Sequence, residues 1–315
     1  MKQRIIYIFT LAVLLASCSQ DEALPGGGNA GNLSALGVST LQANDLSEVV
    51  TRAATTAYPT SKFIGFFVKE NTANGYTACN NRKGIYNTTR KLWLPTPDSI
   101  WLNNHNADIA IYAPYDAMQS TAATLNLSAC LRPADSSKDI WCKCITANNK
   151  STGLAPVLEH VYSRFTISLS LDANYKGTAP VDSVSLTSTD LYATGTYKPF
   201  ESAPYTYTGD AGVGFKLPAV VSLTTATPTA TLDLLLIPAT LTGDIKLSLT
   251  VNGITFGATI SKASFASKLE AGKQYNVNLK LKPGKLEITS VSVVKWDVLT
   301  EVSGGQAEFD EYLGY

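Results

Sequence analysis

Leu158–Leu171 reads LEHVYSRFTISLSL, and this stretch predicts the fold class of the chain. Its residues alternate with a period of two. The apolar side consists of Val161, Phe165, Ile167, Leu169 and Leu171, and the polar side consists of His160, Arg164, Thr166, Ser168 and Ser170. Because side chains alternate between the two faces of a strand, the pattern predicts one half-buried β-strand with a solvent-facing polar side. We interpret it as the last strand of a first β-domain.

The composition agrees with an all-β protein. The 315 residues include 25 Lys and Arg against 25 Asp and Glu, so the formal net charge is zero. No basic patch stands out, which argues against nucleic-acid binding. Thr, Ser, Val, Leu and Tyr are frequent and long amphipathic helical patterns are lacking. A chain of this length suits two domains of ordinary size.

The strongest local signal is the dipeptide Asn252-Gly253. Apolar residues alternate before it, over residues 245–251, and again after it, over residues 254–260. Asn-Gly between two alternating runs predicts a β-hairpin with a type I′ turn. Phe63 to Val68, FIGFFV, is a continuous apolar run that predicts a buried strand.

The N terminus indicates export. Lys2 and Arg4 precede an apolar run, residues 5–15, that is too short to span a bilayer comfortably, so residues 1–17 are predicted to be a cleaved signal peptide. Leu15-Ala16-Ser17-Cys18 resembles a bacterial lipobox, which implies diacylation of Cys18. The alternative is an ordinary signal peptide with a chance cysteine at its end. The acidic patch that follows, residues 19–22, resembles the surface-export signal of Bacteroidetes lipoproteins, so we expect an outer-membrane, surface-exposed lipoprotein.

Residues 18–52 are predicted to be a lipidated, Gly-rich tether or propeptide. Leu36, Val38 and Leu41 indicate one possible strand within it. Arg52, in the tripeptide Thr-Arg-Ala that ends at Ala53, is the single basic residue of its neighbourhood. Taken by itself it is a linker arginine.

Four cysteines remain besides the lipobox cysteine: Cys79, Cys130, Cys142 and Cys144. An even number in an oxidising compartment suggests disulfides. Cys142 and Cys144 are two apart, so in a strand both point to one face, and either could meet Cys130 across a hairpin. Free buried thiols are the other common reading. A C-x-C pair without a second close pair is a weak zinc signal, so no metal site is predicted.

No catalytic motif is present. The two histidines, His105 and His160, form no H-x-x-x-H pair, and there is no G-x-S-x-G elbow or Gly-rich phosphate loop, so neither an enzyme nor a cofactor is predicted. His160 is expected at the solvent surface or between domains. Aromatic residues could form a glycan-stacking platform, although in β-domains they are more often core. The candidates are Trp93, Trp101, Trp141, Tyr112 and Tyr115.

The order of these segments resembles the fimbrillin family, the type V pilins and pilus-associated lipoproteins of Bacteroidales. The segments that carry the resemblance are the lipobox, TRA at 51–53, FIGFFV at 63–68, IYAPY at 111–115, DIWCKC at 139–144, the opening stretch at 158–171, LLLIPATL at 234–241, AGKQYNVNLKL at 271–281 and ITSVSVVKW at 288–296.

The resemblance implies two transthyretin-like β-sandwich domains, which we place at residues 53–172 and 173–315. It also implies a structural subunit, exported as a lipoprotein and cut by an Arg-specific protease at a position that Arg52 and Ala53 match. The groove left by the removed strand would then be filled by a strand of another pilin subunit. The alternative is a non-polymerising surface lipoprotein that binds a glycan, host or bacterial surface ligand.

One departure from the family pattern concerns the C-terminal segment, which a stalk subunit would need as its donor strand. Residues 297–315 alternate poorly and contain Gly304, Gly305 and several acidic residues. A stalk position is therefore less well supported than a tip, anchor or accessory position.

Overall fold

The computed structural model describes residues 32–43, 56–119, 122–132, 137–151 and 153–296. These residues belong to one compact unit that begins at Asn32. They form β-strands, with two short 3-10 helices at Thr72–Asn74 and Lys262–Phe265 and no α-helix, so the prediction of an all-β fold is confirmed. Accordingly, no helix in the described ranges has the length and apolar character needed to cross a membrane.

The strands are, in chain order, β1 (Ser34–Ala35), β2 (Gln42–Ala43), β3 (Thr56–Ala57), β4 (Ile64–Val68), β5 (Cys79–Asn87), β6 (Leu92–Thr96), β7 (Trp101–Leu102), β8 (Ala107–Ala113), β9 (Leu125–Ser128), β10 (Cys130–Leu131), β11 (Trp141–Ala147), β12 (Val157–His160), β13 (Ser163–Leu171), β14 (Ala179–Thr187), β15 (Tyr192–Tyr197), β16 (Tyr205–Ala211), β17 (Val213–Leu223), β18 (Thr229–Leu236), β19 (Ala239–Thr240), β20 (Ile245–Val251), β21 (Ile254–Ile260), β22 (Lys268–Leu269), β23 (Lys273–Lys282) and β24 (Lys285–Lys295).

The N-terminal half is built on an eight-stranded sheet in the order β3-β2-β12-β11-β8-β4-β5-β6. Its middle strands are apolar on both faces, as expected for strands that are covered on both sides. One face packs into the N-terminal core, which we define as the buried cluster of Leu36, Val38, Leu41, Ile64, Phe66, Trp93, Leu102, Ile109, Ile111, Trp141, Leu158 and their neighbours. The opposite face contributes Phe67 and Tyr112 to a different cluster.

The C-terminal half is a sandwich of two sheets, ordered β10-β18-β13-β23-β24 and β17-β14-β20-β21. The inward residues of both sheets form the C-terminal core, which includes Phe165, Ile167, Leu234, Leu247 and Val277. In the hairpin β20–β21, Asn252 and Gly253 both have positive φ, as a type I′ turn requires, so the predicted hairpin is confirmed.

A crossing segment, residues 122–132, links the two halves. It leaves the N-terminal half after β8 and contributes two strands to the C-terminal half: β9 pairs with β15, and β10 pairs with β18. Between the halves lies the junction core, the buried cluster of Phe67, Tyr112, Leu125, Leu127, Val161, Tyr162, Leu235, Ile237, Trp296 and their neighbours. The two halves therefore share strands as well as a hydrophobic interface.

The opening stretch, predicted to be one strand, forms two. β12 belongs to the eight-stranded sheet, whereas β13 is the central strand of the five-stranded sheet, with Val161 and Tyr162 between them. We therefore propose that the halves divide at residues 161–162 rather than after Asp172. The prediction that the polar side of β13 faces solvent is also wrong for Thr166, whose side chain is 1% exposed.

Candidate functional site

The most distinctive site is a groove in the N-terminal half that is filled by the plug segment, defined here as residues 34–43. On one side the plug meets β6 and β7. The Leu36 N–H donates to the Ile100 carbonyl at 2.8 Å, and Val38 and Trp93 exchange two backbone hydrogen bonds of 3.1 and 2.9 Å. β1 also pairs antiparallel with β7. This flank therefore holds the plug as a neighbouring strand would.

The other side of the plug meets the residues that lead into β12. The Ser39 N–H donates to the Leu154 carbonyl at 2.7 Å, and the Leu154 N–H donates to the Gly37 carbonyl at 3.0 Å. Farther along, β2 pairs in parallel with β12. Because backbone groups are bonded on both flanks, the plug occupies the place of an internal strand between β6 and β7 on one side and the residues leading into β12 on the other.

Three side chains of the plug complete the N-terminal core. Leu36, Val38 and Leu41 are at most 1% exposed and pack with Trp93 and Leu158, among others. Burying a Leu or Val side chain is worth about 1.5–3 kcal/mol, so the three together contribute roughly 5–9 kcal/mol before ordering costs. The expected strand around Leu36 and Val38 therefore exists as an extended segment with two short ladders, β1 and β2.

The plug is joined to β3 in two ways, by backbone hydrogen bonds and by the chain itself. β2 pairs antiparallel with β3, and the Tyr58 N–H donates to the Leu41 carbonyl at 2.8 Å. Residues 44–55 connect β2 to β3 along the chain, and they include Arg52 and Ala53. Those two residues, like Cys18, the predicted signal peptide and residues 297–315, lie outside the described residues.

Of the two states that the sequence left open for the cysteines, disulfide or free thiol, the structure has the second. Cys79, Cys130, Cys142 and Cys144 are all free thiols. β10 pairs with β18 rather than with β11, so the expected meeting of Cys130 with Cys142 or Cys144 across a hairpin is wrong. Burial raises the pKa of Cys144 to about 11 and that of Cys142 well above its usual value. No cluster of three His, Cys, Asp or Glu side chains that could hold a metal ion occurs among the described residues.

The proposed aromatic platform does not exist as a surface. Trp93, Trp141 and Tyr112 are at most 2% exposed; the two tryptophans belong to the N-terminal core and Tyr112 belongs to the junction core. Trp101 is 41% exposed and Tyr115 is half-buried, and they do not make a continuous stacking face with the others. Trp141 and Tyr112 are enclosed because both faces of the middle strands are covered, and Trp93, on the end strand β6, is enclosed because the plug pairs with it.

His160 lies at the junction between the halves, one of the two places expected for it. Its Nδ1 faces the Asp139 carboxylate at 3.0–3.1 Å, and the Trp141 indole N–H donates to Nε2 at 3.4 Å. Its ring stacks on Trp296 with 3.6 Å between centroids and 5° between planes. Asp139 and Trp296 were not singled out from sequence, because both are distant from His160 along the chain. All four side chains are buried, so this arrangement serves packing rather than catalysis.

Comparisons with solved structures give the same architecture. A candidate cell adhesion protein from Bacteroides ovatus superposes with a TM-score of 0.59 at 14% identity, covering 84% of this chain and 98% of its own. A second, from Bacteroides uniformis, gives 0.56 at 17% identity, covering 82% and 99%. A C-terminally truncated tip fimbrial protein from Porphyromonas gingivalis gives 0.44 at 11%, covering 84% and 100%. At these identities the first two likenesses, whose TM-scores exceed 0.5, show a shared fold alone.

No curated protein matches the sequence. A family model described as fimbrillin-like matches residues 51–296, a range that begins one residue before Arg52 and ends at Trp296. Because this match covers most of the chain, including every strand from β3 to β24, the protein belongs to the fimbrillin-like family.

Proposed function

We propose that this chain is a structural or accessory subunit of a type V pilus, assembled by donor-strand exchange after cleavage at Arg52 and serving adhesion. Membership of the fimbrillin-like family supports a fimbrial, adhesive role rather than a catalytic one. The strand exchange and the role of Arg52 are the finer part of the proposal. Its partners would be other pilin subunits, and it requires no cofactor.

One observation carries the proposal: the plug fills an internal position of the N-terminal core and precedes Arg52 in the chain. While the chain is intact, the plug is tethered beside its own groove at a high effective concentration, which favours rebinding over exchange. A cut after Arg52 would remove that tether. The plug could then leave, and its place could be taken by a strand of another subunit.

The emptied groove would be unfavourable in water. Its floor includes Trp93, Leu102 and Leu158, which are buried in the plugged state. Its two flanks would also carry unpaired backbone groups, such as the Trp93 N–H and the Leu154 carbonyl. An incoming strand can cover the floor and pair with both flanks at once, which is the physical basis of binding by strand addition.

The proposal includes export and anchoring. Cys18 would carry the lipid that holds the precursor in the outer membrane at the cell surface, since more than one acyl chain gives stable anchoring. Cleavage at Arg52 would separate the mature subunit from this anchor. Cys18→Ala should give a protein without acyl chains that no longer partitions into detergent, and unchanged partitioning would contradict the lipoprotein assignment.

The central test treats the purified precursor with an Arg-specific protease, with Arg52→Ala as the matched control. Mass spectrometry should find a new N terminus at Ala53 in the wild-type protein, whereas in the control the plug should still be covalently joined to the rest of the chain. The trimmed protein, mixed with other pilin subunits, should form oligomers that resist mild SDS, while the control stays monomeric. A trimmed protein that keeps its plug and remains monomeric with every subunit offered would refute strand exchange and favour the ligand-binding alternative.

A further inference from the structure

We infer that the groove is sequence-selective and takes a strand from a different subunit. The six consecutive positions of that strand would be a large apolar residue, Gly or Ala, a β-branched residue, Ser or Thr, any residue, and a second large apolar residue. The inference rests on the proposed function, because it describes what replaces the plug. The pattern is read from residues 36–41, LGVSTL, whose side chains each meet different surroundings.

The apolar positions are enclosed rather than merely covered. Val38 is 0% exposed and bridges to Trp93 on one flank and to Leu154 on the other. Leu36 and Leu41 are 1% and 0% exposed. A side chain larger than valine at the position of Val38 would overpack a site closed on all sides, which is unfavourable in a well-packed core.

Gly37 is needed for space and not for backbone conformation. A Cβ built on it would lie 3.0 Å from Leu92 Cδ1 and 3.4 Å from Leu94 Cδ2, whereas its φ lies outside the left-handed region. Both leucines belong to β6, the flank that pairs with the plug. Alanine could be accommodated by a small displacement of Leu92, whereas a longer side chain would have to displace the side chains of both leucines.

Ser39 and Thr40 differ in what they contribute. The Ser39 hydroxyl lies 2.9 Å from the Gly153 carbonyl and 3.1 Å from the Leu154 carbonyl, so it donates to the flank that leads into β12. Thr40 is exposed. The groove therefore selects a hydroxyl at the fourth position and leaves the fifth free.

The C-terminal residues of this chain fit the pattern poorly. Within residues 297–315 the nearest match is Leu313-Gly314-Tyr315, which would place a phenol ring where Val38 is enclosed. If Phe309 took the first apolar position of the pattern, Asp310 would follow it at the second position, where the groove requires glycine or alanine. Residues 297–315 therefore do not supply the fitting strand, and we assign that strand to another subunit.

Peptide binding to the trimmed protein tests the inference. The protein is cut after Arg52 and freed of its plug, and fluorescent peptides are titrated into it. The peptide of residues 32–43, NLSALGVSTLQA, should bind. Its Gly37→Val variant should bind at least about 10-fold more weakly because of overpacking. The Thr40→Val variant, the control, places the same valine side chain at the exposed position, where it has room, and should stay within about threefold.

A peptide of residues 306–315 should bind at least about 100-fold more weakly than the plug peptide, since it places charged and oversized groups in the core. If no peptide binds, including the plug peptide, strand exchange itself fails. If the plug peptide and its Gly37→Val variant bind equally, exchange stands and the selectivity is refuted. If the peptide of residues 306–315 binds as tightly as the plug, the assignment to a different subunit is overturned.

Discussion

Thr166→Ala should lower the free energy of unfolding by about 2–3 kcal/mol, although the sequence pattern places Thr166 on a polar, solvent-facing side of its strand. In the structure its side chain is 1% exposed, and its hydroxyl donates to Asp233 Oδ1 at 3.2 Å. A hydrogen bond to a charged group contributes about 1.5–3 kcal/mol, and the buried methyl contributes about 0.8 kcal/mol. The loss is limited because Asp233 keeps its contacts with Arg164, whose Nε and Nη2 lie 2.9 and 2.7 Å from the carboxylate.

Ser168→Ala is the matched control, since Ser168 lies on the same face of β13 but is half-buried. It should change stability by no more than about 0.5 kcal/mol. Thr166→Val keeps the side-chain volume and removes the hydroxyl alone, so it should isolate the hydrogen-bond contribution. The assay is equilibrium unfolding in urea with unchanged m-values. Equal, small effects for Thr166→Ala and Ser168→Ala would mean that the face is solvated, and the reasoning would be refuted.

Three other sites allow direct tests. Trp296→Ala should lower stability by about 3–5 kcal/mol in thermal or urea unfolding, because the indole is 1% exposed and stacked in the junction core; a loss below 1 kcal/mol would contradict that packing. Gly65→Ala should cost about 1–3 kcal/mol, because its Cβ would lie 1.8 Å from the Tyr112 ring, whereas Gly214→Ala, with its nearest neighbour at 3.9 Å, should be close to neutral. Alkylation of Cys144, an exposed residue, should accelerate up to about pH 11, since its thiol donates to the Pro199 carbonyl at 2.9 Å and is desolvated enough to raise its pKa, and only the thiolate reacts; a plateau near pH 9 would refute this.

The sequence predicted the features that depend on neighbouring residues. FIGFFV is apolar without alternation, and β4 does bury both faces: Phe66 faces the N-terminal core and Phe67 faces the junction core, although Phe63, the first residue of the run, lies before β4 and is 42% exposed. Asn252-Gly253 predicted its turn because both residues tolerate positive φ, which is a local property. Local patterns therefore identified strands and turns, and from these the all-β class.

What the sequence could not predict depends on partners far along the chain. The polar side of β13 is covered because Asp233 and Gln274 bring their side chains to Arg164 from two neighbouring strands. Cys130, on β10, pairs with Leu235 on β18 because the crossing segment joins the C-terminal half. Alternation reports the polarity of a face, but it does not report whether another element with complementary groups covers that face.

The separation of the cores bears on whether strand exchange is physically reasonable. Leu36, Val38 and Leu41 all belong to the N-terminal core, and no described residue of the plug belongs to the junction core or the C-terminal core. The crossing segment and Trp296, which hold the two halves together, make their buried contacts in the junction core. Withdrawal of the plug would therefore expose one core and leave the junction intact. A fold divided in this way can release one strand and accept another without losing the frame that positions the groove.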